Sequence, residues 1–144
     1  PEGVLRVSEA DPDGFLQDVQ SGPHHHILAD EPATYGGTNR GLTPYGLLAA
    51  GLGACTSMTI RMYARRKKWP LTHVSVDVTH NKVHAQDAGD GSAQRIDSFQ
   101  RLIHLAGDLD ADQRQKLLEI ADKCPVHRTL EKGAQVATSL APLD

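Results

Sequence analysis

The sequence is poor in aromatic residues and contains no long apolar run. Aromatic residues make up 4% of the 144 residues, so a core has to be built mainly from Leu, Val, Ile and Ala. No apolar segment approaches the roughly 20 residues that a membrane-spanning helix needs, and no charged-then-apolar signal opens the chain. We therefore expect no membrane partner.

An excess of positive charge is also missing. The chain has 15 Lys and Arg against 18 Asp and Glu, which gives a formal net charge of −3 with His neutral. Proteins that bind nucleic acids usually present a basic patch that neutralises phosphates. The basic run here, residues 65–68, is interpreted as the solvated end of a helix, where cations oppose the partial negative charge of the terminus. We therefore expect no nucleic-acid partner.

Only two cysteines are present, Cys55 and Cys124, and no secretory signal accompanies them. We therefore expect a reducing cytoplasm, where a thiol pair is more often catalytic or metal-binding than structural. Neither Cys-x-x-Cys nor His-Glu-x-x-His spacing occurs, so we expect no metal and no other cofactor. No Gly-x-Ser-x-Gly elbow occurs either, which argues against a serine hydrolase.

What is present is a pattern of short strands around one long helix. Three apolar runs near residues 4–7, 15–19 and 26–30 are separated by turn-forming residues and predict an N-terminal antiparallel meander. Alternating apolar residues predict a second antiparallel pair, at 74–79 and at 96–105 with Phe99, Ile103 and Leu105 on one face. A polar loop is expected at 85–92, and a last strand at 135–140.

The long helix is predicted to begin with Thr43 as N-cap and Pro44 in the first turn, and to end before Trp69-Pro70. Its residues to Tyr63 are apolar on nearly every face, which predicts a helix buried on all sides.

Two shorter helices follow in the predicted order of elements. Asp110 and Gln113 resemble a capping box that opens a helix running to about Asp122. Cys124 is placed to be the N-cap of a further short helix that ends at Gly133. The chain length and this order of strands and helices predict one domain, residues 1–144, of the α+β class.

The position of each cysteine suggests a different role. Unpaired N–H groups at a helix N-terminus lower the pKa of a thiol, so Cys124 is expected to be reactive, with His127 and Arg128 adding positive charge or hydrogen bonds. Cys55 lies inside an apolar helix, where a cysteine can equally serve as a small packing residue.

Two segments resemble the OsmC/Ohr family. Residues 38–55, TNRGLTPYGLLAAGLGAC, are similar to its glycine-rich loop and central helix, and residues 123–130, KCPVHRTL, to its second cysteine segment. The resemblance implies an OsmC-like fold with antiparallel sheets packed around a long buried central helix. It also implies an intertwined homodimer with two sites at the subunit interface.

The resemblance further implies thiol-dependent reduction of organic hydroperoxides, as part of oxidative stress defence. Cys55 would attack the peroxide and become a sulfenic acid, and Cys124 would condense with it to a disulfide that an external dithiol reduces. In the family's peroxidases an arginine activates the first cysteine and is oriented by a glutamate of the central helix, but the corresponding residue here is Tyr45.

Arg40 is the first candidate for the activating cation, and Arg128 is its rival. Glu31 is a candidate to replace the missing carboxylate. Two other functions stay open from the sequence: another thiol redox role on this fold, such as a partner of a disulfide reductase, and a ligand-binding or sensor protein without catalysis.

Overall fold

The structure is a computed structural model that describes residues 3–84 and 95–143, so the predicted loop at 85–92 lies outside the described residues. The chain forms strands β1 (Leu5–Glu9), β2 (Gln17–Ser21) and β3 (His25–Ala29), helix α1 (Pro44–Lys67), strands β4 (Leu71–His84) and β5 (Arg95–Gly107), and helices α2 (Ala111–Ala121) and α3 (Pro125–Lys132). This mixture of antiparallel sheets and three helices confirms the predicted α+β class.

The N-terminal meander is confirmed as a three-stranded antiparallel sheet in the order β1-β2-β3. Its register places Val7, Val19 and Ile27 in one row across the three strands. Val19, in the middle strand, is buried. Gly22, with φ of 61°, provides the left-handed conformation for the turn between β2 and β3.

Helix α1 has the predicted ends. The Thr43 hydroxyl accepts a hydrogen bond from the Gly46 backbone N–H at 3.0 Å and satisfies one of the free donors of the first turn. At the other end Lys68 takes a left-handed conformation with φ of 58°, and the Trp69 N–H returns to the Ala64 carbonyl at 2.9 Å. The basic residues 65–68 are exposed, as expected for a solvated helix end.

The prediction that α1 is buried on all sides is wrong for the single chain. Its buried residues form one stripe with a spacing of four, namely Leu52, Thr56, Ile60 and Ala64. Met58 and Met62 are 71% and 55% exposed. The physical reason is that this chain covers one face of the helix, whereas the apolar residues of α1 are distributed around its whole circumference.

A core forms where α1, β4, β5 and α2 pack together. Its buried members are Ile60, Ala64, Leu71, Leu117 and Ala121, and half-buried residues such as Ile103 and Leu105 extend it. β4 and β5 pair with each other, and the side-chain contacts Asp77–His104 and His80–Asp97 show the predicted antiparallel direction. Full burial of one aliphatic side chain such as Leu117 stabilises the fold by about 1.5–3 kcal/mol.

The two shorter helices are confirmed, but the last strand is not. Asp110 and Gln113 form the predicted capping box, and Cys124 and Gly133 cap the two ends of α3. Residues 133–143 form no strand, and Val136 and Leu140 are 88% and 97% exposed. A strand needs a hydrogen-bonding neighbour and a buried face, and the described part of this chain offers this segment neither.

The molecule divides into two compact units. The first consists of Pro1–Ala50 and His80–Ser98, and the second of Gly51–Thr79 and Phe99–Asp144. Arg40 belongs to the first unit, and both cysteines belong to the second. Among the described residues, no helix combines the length and the apolar character that crossing a membrane requires.

Candidate redox site

The second unit brings the two cysteines together. Cys55 lies on α1 and Cys124 directly precedes α3, and each thiol is close enough to shift the pKa of the other. Both are free thiols. Cys124 is fully buried, whereas Cys55 is partly exposed. Two thiols that interact in this way can exchange a proton and are candidates to form a disulfide.

The surroundings of Cys124 favour its thiolate. Its sulfur accepts a hydrogen bond from the His127 backbone N–H at 3.5 Å, in the first turn of α3. Burial by itself raises the pKa of the Cys124 thiol, but hydrogen bonds from Cys55, the His127 N–H, the Thr56 hydroxyl and the Val126 N–H together outweigh it and lower that pKa. The helix terminus thus acts on Cys124 as its position in the sequence predicts.

The surroundings of Cys55 favour its neutral thiol. Burial raises the pKa of Cys55, and the hydrogen bond with Cys124 raises it further. Hydrogen bonds from the Val126 N–H and the Thr59 hydroxyl act in the opposite direction without compensating. When the pair loses a proton, the negative charge is therefore favoured on Cys124 over Cys55.

A largely buried arginine that sequence reasoning missed lies behind this pair. The Arg101 side chain is 13% exposed, and its guanidinium donates to four acceptors. These are Thr56 Oγ1 at 3.1 Å, the Ala121 carbonyl at 3.0 Å, Asp122 Oδ1 at 2.9 Å and His127 Nδ1 at 2.8 Å. Arg101 on β5 is thereby joined to α1, to the end of α2 and to α3.

This contact also assigns the proton of His127. A guanidinium has donors only, so Nδ1 of His127 must accept from Arg101, and the ring proton belongs on Nε2. Nε2 in turn lies against the Glu131 carboxylate. The ring is thus fixed between Arg101 and Glu131, in the same turn of α3 whose backbone bonds Cys124.

A signal for Arg101 was present in the sequence. Alternation along β5 puts Arg101 on the half-buried face with Phe99, Ile103 and Leu105. A charged residue in the middle of an apolar strand face indicates a buried partner, because a buried charge is costly unless it is paired. The apolar members of this face were recognised, and the arginine between them was not.

Arg40 is placed in the first unit, in a loop organised by Asp30. The buried Asp30 carboxylate accepts hydrogen bonds from the Thr38 hydroxyl at 2.6 Å and from the backbone N–H groups of Glu31, Thr38 and Arg40. The Arg40 side chain is exposed, and its guanidinium makes no hydrogen bond or ion pair with the residues that the structure describes.

The remaining candidates of the sequence are placed as follows. Arg128 is exposed on α3, and Glu31 is half-buried beside Asp30. Tyr45, which replaces the family glutamate, stacks on the His80 ring with centroids 4.4 Å apart. Across residues 3–84 and 95–143, no group of three or more His, Cys, Asp and Glu side chains is arranged to hold a metal ion.

Comparison with known proteins identifies what this chain resembles. The family model described as OsmC-like protein matches residues 37–139. No curated protein is significantly similar to the chain in sequence.

Solved structures share the fold at low sequence identity. A protein from Psychrobacter arcticus, ascribed to osmotic stress and detoxification, is 23% identical, with a TM-score of 0.70 over 90% of this chain and 88% of its own. The organic hydroperoxide resistance protein OsmC from Legionella pneumophila is 20% identical, with a TM-score of 0.63 over 88% of each chain. The organic hydroperoxide resistance protein OhrB of Bacillus subtilis is 18% identical, with a TM-score of 0.62 over 88% of this chain and 89% of its own.

Proposed function

Because the chain belongs to the OsmC family, whose model matches residues 37–139, we propose that it reduces organic hydroperoxides with Cys55 and Cys124. The observation that carries the proposal is the interaction between the two thiols, which shifts their pKa values in opposite directions. Fold neighbours named organic hydroperoxide resistance proteins suggest the class of substrate.

In the first step Cys55 is the attacking sulfur, since it is the more exposed of the two. Its proton passes to the Cys124 sulfur, and the Cys55 thiolate attacks the terminal oxygen of the hydroperoxide. The O–O bond breaks, Cys55 is oxidised to a sulfenic acid, and the departing alkoxide takes the proton from Cys124 and leaves as the alcohol.

In the second step Cys124, again a thiolate, attacks the sulfenic sulfur of Cys55. The S–S bond forms, the S–O bond breaks, and the departing hydroxide takes a proton from solvent and becomes water. An external dithiol, which a reducing cytoplasm would supply, then returns both cysteines to the reduced state by thiol–disulfide exchange.

We further propose that residues 1–144 act as one OsmC-like domain in an intertwined homodimer. The exposed apolar residues of α1, Met58 and Met62, support a second copy, since a single chain leaves them in water. Arg40 stays a candidate for the cation that activates Cys55. Light scattering at micromolar concentration tests the dimer, and a particle of 15.6 kDa would contradict it.

The function is tested on reduced protein kept free of oxygen and given one equivalent of an organic hydroperoxide. We expect a Cys55–Cys124 disulfide in the mass spectrum of the digested protein, and one equivalent of the alcohol. Hydrogen peroxide and a disulfide substrate serve as comparisons. A disulfide substrate that oxidises the pair while the organic hydroperoxide does not would favour another thiol redox role.

A further inference from the structure

The Arg101 guanidinium is the part of the site that the two-cysteine cycle leaves unused. A buried charge is costly unless it is paired and hydrogen-bonded. Arg101 meets both conditions with four acceptors, and its ion-pair partner Asp122 is 68% exposed. The guanidinium thus joins the residues that surround Cys124, namely Thr56, Ala121, Asp122 and His127.

We propose that Arg101 is a positioning residue for the Cys124 thiolate, acting through the Thr56 hydroxyl and through His127 in the first turn of α3. The proposal rests on the proposed function, because it names the residue that prepares Cys124 for its part in that cycle. Arg101 needs no contact with the hydroperoxide for this role.

The first connection runs through Thr56. Arg101 donates to the Thr56 oxygen at 3.1 Å, and the Thr56 hydroxyl donates to the Leu52 carbonyl at 2.7 Å. The same hydroxyl also reaches the Cys124 sulfur. Because Arg101 occupies one lone pair of the oxygen, the single hydroxyl hydrogen is shared between the Leu52 carbonyl and the Cys124 sulfur, and its share on the sulfur favours the thiolate over the thiol.

The second connection runs through the chain on both sides of Cys124. Arg101 binds the Ala121 carbonyl and the Asp122 carboxylate before the cysteine, and the His127 ring after it. These contacts hold the end of α2 and the start of α3 to one guanidinium. The His127 N–H that bonds the sulfur is therefore kept in place by the same arginine.

The charged and titratable groups around Cys124 come from every neighbouring element. They are Cys55 from α1, Arg101 from β5, Asp122 between α2 and α3, and His127 and Glu131 from α3. Asp122 and Glu131 are largely exposed, and their negative charges oppose a thiolate. Arg101 is the permanent cation of this set, so its removal should shift the balance toward the thiol.

The test is a pH titration of Cys124 by the ultraviolet absorbance of its thiolate. The full chain carries Cys55→Ser, so that Cys124 titrates alone. We expect Arg101→Met to reduce the thiolate fraction at neutral pH by about tenfold, and Arg101→Lys to restore part of it by returning the charge without the planar fork. Arg114→Met is the matched control, because Arg114 on α2 bonds the Leu105 carbonyl and should leave the profile unchanged.

A second pair of variants keeps the test decisive if Arg101→Met does not fold. Thr56→Val should raise the pH at which Cys124 forms its thiolate, whereas Thr56→Ser should leave that pH unchanged. Thr59→Val should leave Cys124 unchanged, because Thr59 bonds Cys55. Circular dichroism establishes which variants are folded.

Folded Arg101→Met and Thr56→Val proteins with an unchanged titration would overturn the proposal and leave Arg101 as a structural clamp. If Arg101→Met does not fold, an unchanged titration in Thr56→Val alone overturns it. The readout needs no hydroperoxide, so it separates this proposal from the proposed function. A wild-type protein that ignores hydroperoxides but shows the expected titrations would refute the function and leave the assignment of Arg101 intact.

Discussion

Cys55 and Cys124 carry the same thiol and touch each other, yet their surroundings shift the two pKa values in opposite directions. Cys55 lies in the middle of α1, where backbone N–H groups are already used by the helix. Cys124 lies before the first turn of α3, where the N–H groups of Val126 and His127 are free to bond sulfur. Burial raises both pKa values, and the hydrogen bond from Cys55 together with the N–H groups of the α3 terminus outweighs burial at Cys124 alone.

The largest expected effect breaks the pair. Cys55→Ser should abolish the reaction with hydroperoxide, because the attacking sulfur is gone. Cys124→Ser should still complete one oxidation and stop at a Cys55 sulfenic acid, which a dimedone label detects by mass spectrometry. The assignment of the two roles would be reversed if the Cys55→Ser protein formed a sulfenic acid on Cys124 as fast as the wild-type protein reacts with the hydroperoxide.

The next largest effect is a difference between the two cysteines in the pH at which each forms its thiolate. The lowered pKa of Cys124 and the raised pKa of Cys55 predict that the Cys55→Ser protein forms its thiolate at lower pH than the Cys124→Ser protein. Each substitution also removes one mutual hydrogen bond, so the two titrations should move toward each other relative to the wild type. Thiolate absorbance measures both, and coincident curves would show that the two sites do not differ.

A smaller effect is expected at the Asp30 carboxylate, which also accepts hydrogen bonds that favour its charged form. The hydrogen bond from the Thr38 hydroxyl lowers the pKa of Asp30, and three backbone N–H groups lower it further. Burial acts in the opposite direction without compensating. A carboxylate with a depressed pKa stabilises the fold above its unfolded pKa of about 3.9, and this contribution is lost as the pH falls through the folded value.

Asp30→Asn should therefore destabilise the protein at neutral pH, and the difference from the wild type should shrink in acid. Urea unfolding at several pH values measures it, and Asp13→Asn in an exposed turn is the control. A loss of stability that stays constant with pH would mean that the carboxylate charge plays no part.

The smallest effect compares two helix caps. Asp110 caps α2 with an oxygen 2.7 Å from the Gln113 N–H, whereas Cys124 caps α3 with a sulfur 3.5 Å from the His127 N–H. Asp110→Ala should cost about 1 kcal/mol. Cys124→Ser should stay within about 0.5 kcal/mol of the wild type, because serine is a preferred cap and sulfur a weak acceptor. Thermal unfolding compares them, and a larger loss in Cys124→Ser would make Cys124 mainly structural.

The sequence predicted best what is decided locally. The ends of α1 and α3 were predicted from Thr43, Trp69-Pro70, Cys124 and Gly133, which act on residues a few positions away. The pairing of Cys55 with Cys124 came from the resemblance rather than from any pattern in the residues. The capping role of Cys124, and with it the direction of its pKa shift, could be derived from Pro125 and the short helix alone.

Predictions from the sequence were wrong or missing for features that depend on contacts between distant segments or on a neighbouring surface. Arg101 contacts Thr56, 45 residues away, and no local pattern fixes that pairing. The predicted strand at 135–140 required a neighbour that the described chain does not provide. The burial of α1 was overestimated because the apolar pattern of a helix shows which residues avoid water, and not whether the same chain covers them.

The backbone N–H of Val126 lowers the pKa of both thiols, and this has a consequence for the redox potential of the pair. Formation of a disulfide removes the negative charge that this N–H and the helix terminus stabilise. The reduced state is therefore favoured, and the Cys55–Cys124 disulfide becomes a better oxidant toward an external dithiol. Each tenfold stabilisation of the reduced pair raises its potential by about 30 mV. In the cycle proposed here, the arrangement that prepares Cys124 to close the disulfide also eases its reopening.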